Sequence, residues 1–220
     1  MNPLLDALAV LFPVECAGCG SPDRSVCGNC RAALGPALET RLPNPGLPDL
    51  RVASAARYEG VVRELVLALK EGGRTDAAAP LARAIAPLLG AASTVHGMDL
   101  VLVPSSRAAR ARRGFDPVGL LVRRAGYRVS PVLRVVRSTA AQKTLDVVGR
   151  ATNSAGSLEA MEYLSGRRLT LVDDVLTTGA TLLEAARAVR EAGGEVIGAV
   201  TLAATPRLYP ASHINSEQPR

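Results

Sequence analysis

Two carboxylates stand side by side at positions 173 and 174, in the stretch LTLVDDVLTTGATL (169–182). Four residues suited to a buried strand lead into them, and a Thr/Gly loop and a helical pattern follow. Thr177, Thr178 and Thr181 supply hydroxyls, and Gly179 lets the backbone turn and approach a ligand closely. A helix that opens at Ala180 presents free N–H groups and the positive end of its dipole. Such a loop suits a phosphate. Carboxylates repel phosphate, so Asp173 and Asp174 must face another part of the ligand, accepting hydrogen bonds from hydroxyls or holding Mg2+. A sugar phosphate meets both demands. The magnesium-binding strand of a P-loop ATPase would need a GxxxxGK[ST] loop, which the sequence lacks. The plainest alternative is a capped helix after a strand, with both acids merely solvated.

A second cluster is made of sulfur. Cys16 and Cys19 (CAGC) are followed after seven residues by Cys27 and Cys30 (CGNC). Two such pairs suit tetrahedral zinc, and four thiolates leave no open position, so the metal would be structural. Gly18, Gly20 and Gly28 allow the tight turns that aim backbone amides at sulfur. Disulfides or redox chemistry are the alternative, against which stands their rarity in cytosolic proteins.

The elements that must position these groups follow from periodicity. Residues 51–58 read as a strand or hairpin arm, and 60–70 carry apolar side chains at helical spacing up to the break EGGR. Residues 76–90 read as an Ala-rich helix, 99–104 as a short buried strand ended by proline, and 117–126 as a helix ending at Gly126. A basic, flexible loop, SSRAARARRGFDP, lies between the last two. After the strand 169–172 come a helix over 180–192, closed by Gly193-Gly194, and a strand over 195–204. This alternation predicts an α/β domain (51–206) with a largely parallel sheet, in which ligands bind at the carboxyl ends of strands. An N-terminal helix and four-cysteine module (1–34) and a Pro-rich linker (35–50) precede it, and a disordered tail (207–220) follows.

Composition narrows the function classes. A chain of 220 residues with 48% hydrophobic and 3% aromatic residues builds its core from Ala, Val and Leu. No apolar run reaches the roughly 18–20 residues that span a bilayer. The N-terminal stretch lacks a basic region and carries Asp6, so a cytoplasmic protein without membrane insertion is expected. An Ala-rich surface can also hold a homodimer interface. The net charge of +6 favours anionic partners, although a genome that encodes Arg freely would give the same balance. Only Lys70 and Lys143 are lysine among 26 basic residues, which marks places that need a compact ammonium or is chance. Arg107, Arg110, Arg112 and Arg113 make a solvated basic surface, a hood facing phosphate, or a contact for single-stranded nucleic acid. The scarcity of aromatics argues against a base-stacking platform. His96 and His213 read as surface residues, which leaves no dedicated general base.

The stretch LTLVDDVLTTGAT closely resembles the phosphoribosyl-pyrophosphate (PRPP) motif of type I phosphoribosyltransferases. With the four cysteines, and with YEGVVRELVLALKEGGR, LVPSSRAARARRGFD and RSTAAQKTLDVVGRATN, the chain resembles the ComF family of phosphoribosyltransferase-like proteins as far as Ala204. Some of these proteins are linked to bacterial DNA uptake. The resemblance implies a type I phosphoribosyltransferase fold and a Mg2+-dependent transfer from PRPP to a nitrogen acceptor. It implies that Asp173 and Asp174 bind the ribose hydroxyls, and that Thr177, Thr178, Gly179, Ala180 and Thr181 hold the 5-phosphate. Lys70 would lie in the loop that contacts pyrophosphate. Arg107, Arg112, Arg113 and Gly114 would belong to a hood over the site, and Gln142 and Arg150 to the element after it. Lys70 and Arg113 would stabilise the leaving group. The other expectations are a non-catalytic PRPP- or nucleotide-binding protein, and a DNA-uptake factor that contacts single-stranded DNA or a helicase. The chain reads RGFDP where the family commonly has RGFNQ, and LVPSSR where it often has VPVPLS.

Overall fold

The computed structural model describes residues 14–22, 24–35, 37–42, 49–94, 98–136 and 156–206. The helix expected within 1–13, the tail, Gln142, Lys143, Arg150 and both histidines lie outside them. The architecture is the α/β one, a mostly parallel sheet flanked by helices. Its strands are β1 (Leu38–Leu42), β2 (Leu50–Arg57), β3 (Met98–Leu102), β6 (Arg168–Leu176) and β7 (Glu195–Ala204), in the spatial order β1-β2-β7-β6-β3. Among the described residues of this sheet, only the β1–β2 pair is antiparallel. A small antiparallel hairpin pairs β4 (Leu133–Val135) with β5 (Leu158–Ala160).

Helices α2 (Gly60–Lys70), α3 (Ala78–Ser93) and α5 (Pro117–Arg124) cover one face, where Val62, Leu65, Leu81 and Leu121 pack with Val172, Val200 and Leu202 of the sheet. Helix α6 (Ala180–Glu191) and the hairpin cover the other, where Leu182, Ala185, Leu133 and Leu158 meet Leu169, Leu171 and Ala199. A central strand buried on both faces is apolar almost throughout, and β6 obeys this up to Val172. The small helix α1 (Gly28–Ala32) belongs to the cysteine module, whose Cys16, Val26 and Cys30 join the core on the α2 face. Among the described residues no helix is long and apolar enough to cross a membrane.

Three expectations change. Residues 38–42, within the stretch read as linker, form an edge strand, with Leu38, Thr40 and Leu42 alternating against β2. The basic loop contains helix α4 (Arg107–Arg113). It lacks an apolar stripe, but the Ser106 hydroxyl accepts the Ala109 N–H at its start and Gly114, at φ +74, ends it. Strand β6 also continues through both aspartates to Leu176. The departure Asp116-Pro117 has a local reason: the Asp116 carboxylate accepts the Gly119 N–H at 3.1 Å, and Pro117 takes the first helical position of α5, where no N–H is needed.

Candidate functional site

Strand lengths create the site. β3 pairs with β6 only as far as Leu102 opposite Val172, whereas β6 runs four residues further. Asp173 and Asp174 therefore stand on a step at the carboxyl edge of the sheet. They border a cavity of about 430 Å3, with Lys70, Arg113, Thr177 and Thr181 around the same space. Side chains alternate along a strand. Asp174 shares the face of Val172 and turns toward α2, whose last residue, Lys70, places its ammonium 2.9 Å from Asp174 Oδ2. Asp173 turns the other way, and its Oδ1 accepts the Asp174 N–H at 2.8 Å. Burial, and then the neighbouring Asp174 carboxylate, push the Asp173 carboxyl up to about 8, against the pull of that N–H and of Lys70.

The Thr/Gly loop is held from behind. Gly179 sits at φ +80, and a Cβ there would come 2.5 Å from Leu42 of β1. Both facts require glycine, and the contact shows why the unexpected edge strand matters to the site. Thr177 and Thr181 line the cavity, while Thr178 accepts the Ala180 N–H within the loop at 3.4 Å. Thr205, after β7, fastens the same turn by donating its N–H to Leu176 O at 2.9 Å.

The opposite wall is α4. Arg113 lines the cavity with its side chain only 11% exposed, and its Nε–H has no partner among the described residues. Its Nη2 donates to Glu71 Oε1 at 3.2 Å, and Arg112 Nη2 to Glu71 Oε2 at 3.1 Å. Arg107 opens α4, but its side chain, like Gln142, lies outside the description. The structure thus brings Asp173, Asp174, Lys70, Arg113, Thr177 and Thr181 together around one cavity. Sequence reasoning missed Tyr58, Ser105 and Ser157, which also line it. Tyr58 follows β2 directly and so lies at a strand's carboxyl end, which was the available signal.

The cysteine module supports the Lys70 helix from outside. The four sulfurs lie within 4.8 Å of one another, with Cys19 and Cys27 3.7 Å apart. A tetrahedral site with metal–sulfur bonds of about 2.3 Å has an S···S edge of about 3.8 Å, so the group can hold a metal such as zinc. Gly18 is required by this packing, since a Cβ there would meet Cys30 Sγ at 2.9 Å and Val61 of α2 at 3.0 Å. Burial disfavours the Cys16 thiolate, but N–H groups of Cys27, Gly18 and Cys19 outweigh it and bring the thiol down to about 6. Burial and the neighbouring sulfurs push Cys30 up. Four crowded thiols pulled in opposite directions suit a cation that takes all four as thiolates. Arg74, just beyond Lys70, donates to Glu15 O at 2.9 Å and ties the module to the loop that enters the site.

The chain is similar to several known proteins. Residues 109–215 match the family described as "Phosphoribosyl transferase domain". The DNA utilization protein YhgH of Escherichia coli strain K12 is 26% identical over 196 residues, covering 83% of this chain and 85% of that protein. Its Salmonella typhimurium counterpart is 29% identical over 194 residues, covering 83% and 80%. An orotate phosphoribosyltransferase of Pyrobaculum calidifontis is 46% identical over 61 residues, 27% of this chain and 32% of that enzyme, so the match spans less than two thirds of that relative.

Proposed function

We propose that the chain is a ComF-type phosphoribosyltransferase-like protein whose cavity binds PRPP and transfers the phosphoribosyl group to a nitrogen acceptor. One observation carries this reading. The Asp173–Asp174 step, with Lys70 on Asp174, shares a single cavity with Thr177 and Thr181 on one side and Arg113 on the other. Acids for hydroxyls, a Thr/Gly loop for a terminal phosphate and cations for a diphosphate are the three parts of PRPP in order.

In the proposed reaction the bond from C1 to the pyrophosphate oxygen breaks and a C1–N bond forms, through a transition state with oxocarbenium character. Asp173 and Asp174 hold the ribose hydroxyls and so fix C1 relative to the acceptor. The Thr177–Thr181 loop anchors the 5-phosphate. Lys70 and Arg113 face the charge that develops on the leaving group. The Asp173–Asp174 pair, one member raised by burial and the other held by Lys70, does not offer two free carboxylates to a bare divalent ion. Mg2+ fits here as a companion of the ligand's phosphates, where it would neutralise diphosphate charge. Zinc in the four-cysteine module is structural, because no ligand position stays open.

Similarity over most of the chain to DNA utilization proteins favours a second reading, a cytoplasmic DNA-processing or DNA-uptake factor. In it the arginines of α4 and the metal module contact single-stranded DNA or a helicase partner, and PRPP or a nucleotide is bound without turnover. Oligonucleotide binding with a steep salt dependence is its signature.

The test of the first reading is thermal. PRPP with Mg2+ at about a hundred times its Kd adds about 2.7 kcal/mol to the native state. That raises Tm by roughly 5–10 °C in a chain of this size. No shift at millimolar PRPP contradicts the reading.

A further inference from the structure

The chain contains two arginine–carboxylate contacts of opposite design. Arg187 meets Glu184 as a complete fork, Nε to Oε2 and Nη2 to Oε1, both at 2.8 Å. Glu184 is buried to 4% exposure, and its Oε1 also accepts the Leu158 N–H at 2.9 Å, while Arg187 Nη2 donates to Leu158 O at 2.8 Å. That pair is a fixture, which holds the start of β5 against α6. Arg113 and Glu71 are the reverse. The arginine is the buried partner, and the carboxylate, 49% exposed, reaches only Nη2 at 3.2 Å. The inner arm of the fork, Nε–H, is buried without a partner among the described residues, on an arginine that lines the cavity. Glu71 spends its second oxygen on Arg112, at 3.1 Å. It caps the end of α2, its N–H on Leu67 O at 2.8 Å, so only its side chain, on the exposed side, is free to turn away.

Lys70 and Glu71 are neighbours in sequence and reach opposite walls, the ammonium to Asp174 and the carboxylate to Arg113. An anion entering the cavity attracts both Lys70 and Arg113. It can also complete the arginine fork that the carboxylate leaves half made, because a phosphate offers several oxygens in bidentate geometry. Glu71 has no such second oxygen to give. It can swing into solvent when the anion arrives.

We propose that Glu71 is a resident stand-in for a ligand phosphate on Arg113, displaced when a diphosphate binds, so that it lowers the site's affinity for anions. The proposal rests on the PRPP reading of the same cavity. Glu71 thereby sets a threshold: a diphosphate that engages Arg113 and Lys70 together displaces it, and a single weak anion does not. The arginine is kept charged-paired and in place while the site waits.

The experiment is calorimetric titration of inorganic pyrophosphate with Mg2+ into the full chain and into Glu71→Gln, Arg113→Lys and the double variant. Glu71→Gln keeps the side chain's size but drops the charge that competes with the ligand. Its expected effect is pyrophosphate binding about two- to fivefold tighter than wild type, the range an exposed charge contact commands. Lysine cannot form the fork, so the gain disappears when Glu71→Gln is added to Arg113→Lys, a coupling that the double-mutant cycle reads directly. Binding seen in Glu71→Gln and absent in wild type supports the proposal as well. Unchanged or weaker binding in Glu71→Gln, at unaltered Tm, overturns it and makes Glu71 a positioning residue or a bystander, while the PRPP reading stands. Absence of pyrophosphate binding in all four proteins overturns both.

Discussion

Replacing Cys30 by Ser lowers Tm by roughly 10 °C, the shift that a loss of about 3–4 kcal/mol produces in a chain of this size. Cys30 is buried, its sulfur lies in the four-cysteine group, and it packs into the core that also contains Val62, Leu65 and Val66 of α2. Binding free energy at a structural metal is folding free energy, because the unfolded chain has no preformed site. The wild-type protein is expected to hold one zinc per chain by elemental analysis, and the Ser variant a small fraction of that. A strong chelator should bring the wild type down to the variant's Tm. The damage should also reach the other site, since α2 ends at Lys70 and Arg74 ties the next loop to Glu15. An unchanged Tm under chelation, with no metal bound, would remove the metal from the account.

The second large effect runs the other way. Asp173→Asn should make the protein more stable, and more so as pH rises. Burial and the Asp174 carboxylate raise the Asp173 carboxyl from its ordinary 3.8 to about 8. The native state therefore holds a proton that the unfolded chain releases above pH 4. Stability falls as pH climbs between about 4 and 8, at up to about 1.4 kcal/mol per pH unit from this one group. Above 8 both states are ionised and the full penalty is present. Below 4 both are protonated and the group is silent. Asparagine removes the slope, so the variant's advantage should be near zero at pH 4 and reach several degrees in Tm at pH 8. Equal stability of the two proteins at pH 8 would show that Asp173 is ionised in the fold at little cost. Such a trade of stability for a binding group is common at functional sites.

Parts of this fold were legible and parts were not, for identifiable reasons. Helix α2 matches its sequence boundaries because Val62, Leu65, Val66 and Leu69 repeat at helical spacing and EGGR ends it abruptly. Strand β7 was equally plain, a mostly apolar run after Gly193-Gly194. The end of β6 was not. Charged residues inside a strand contradict the pattern of a buried one, and only the early stop of β3 makes room for them. Helix α4 was hidden because RAARARR has no apolar face, although Ser106 and Gly114 mark its two ends. Strand β1 was masked by the surrounding prolines, though its alternation was present. Of the candidate site, the Asp pair and the Thr/Gly loop stand out from residue types and spacing, whereas the places of Lys70 and Arg113 in it follow from the family resemblance. The Lys70–Asp174 contact, the half-made Arg113 fork and the press of Leu42 on Gly179 are tertiary and have no local signature.

The acidic step is expected to bind the ribose of PRPP. The most direct measurement is calorimetric titration of PRPP with Mg2+ into zinc-loaded wild type and into the Asp173→Asn, Asp174→Asn double variant. Micromolar binding is expected for wild type and a loss of about a hundredfold or more in the double variant, whose amides keep the shape of the carboxyl groups but not their full capacity to accept hydrogen bonds from hydroxyls. The variant's retained fold, checked by its Tm, would assign the loss to the site. Equal PRPP binding by the two proteins, or none by wild type, would contradict the claim.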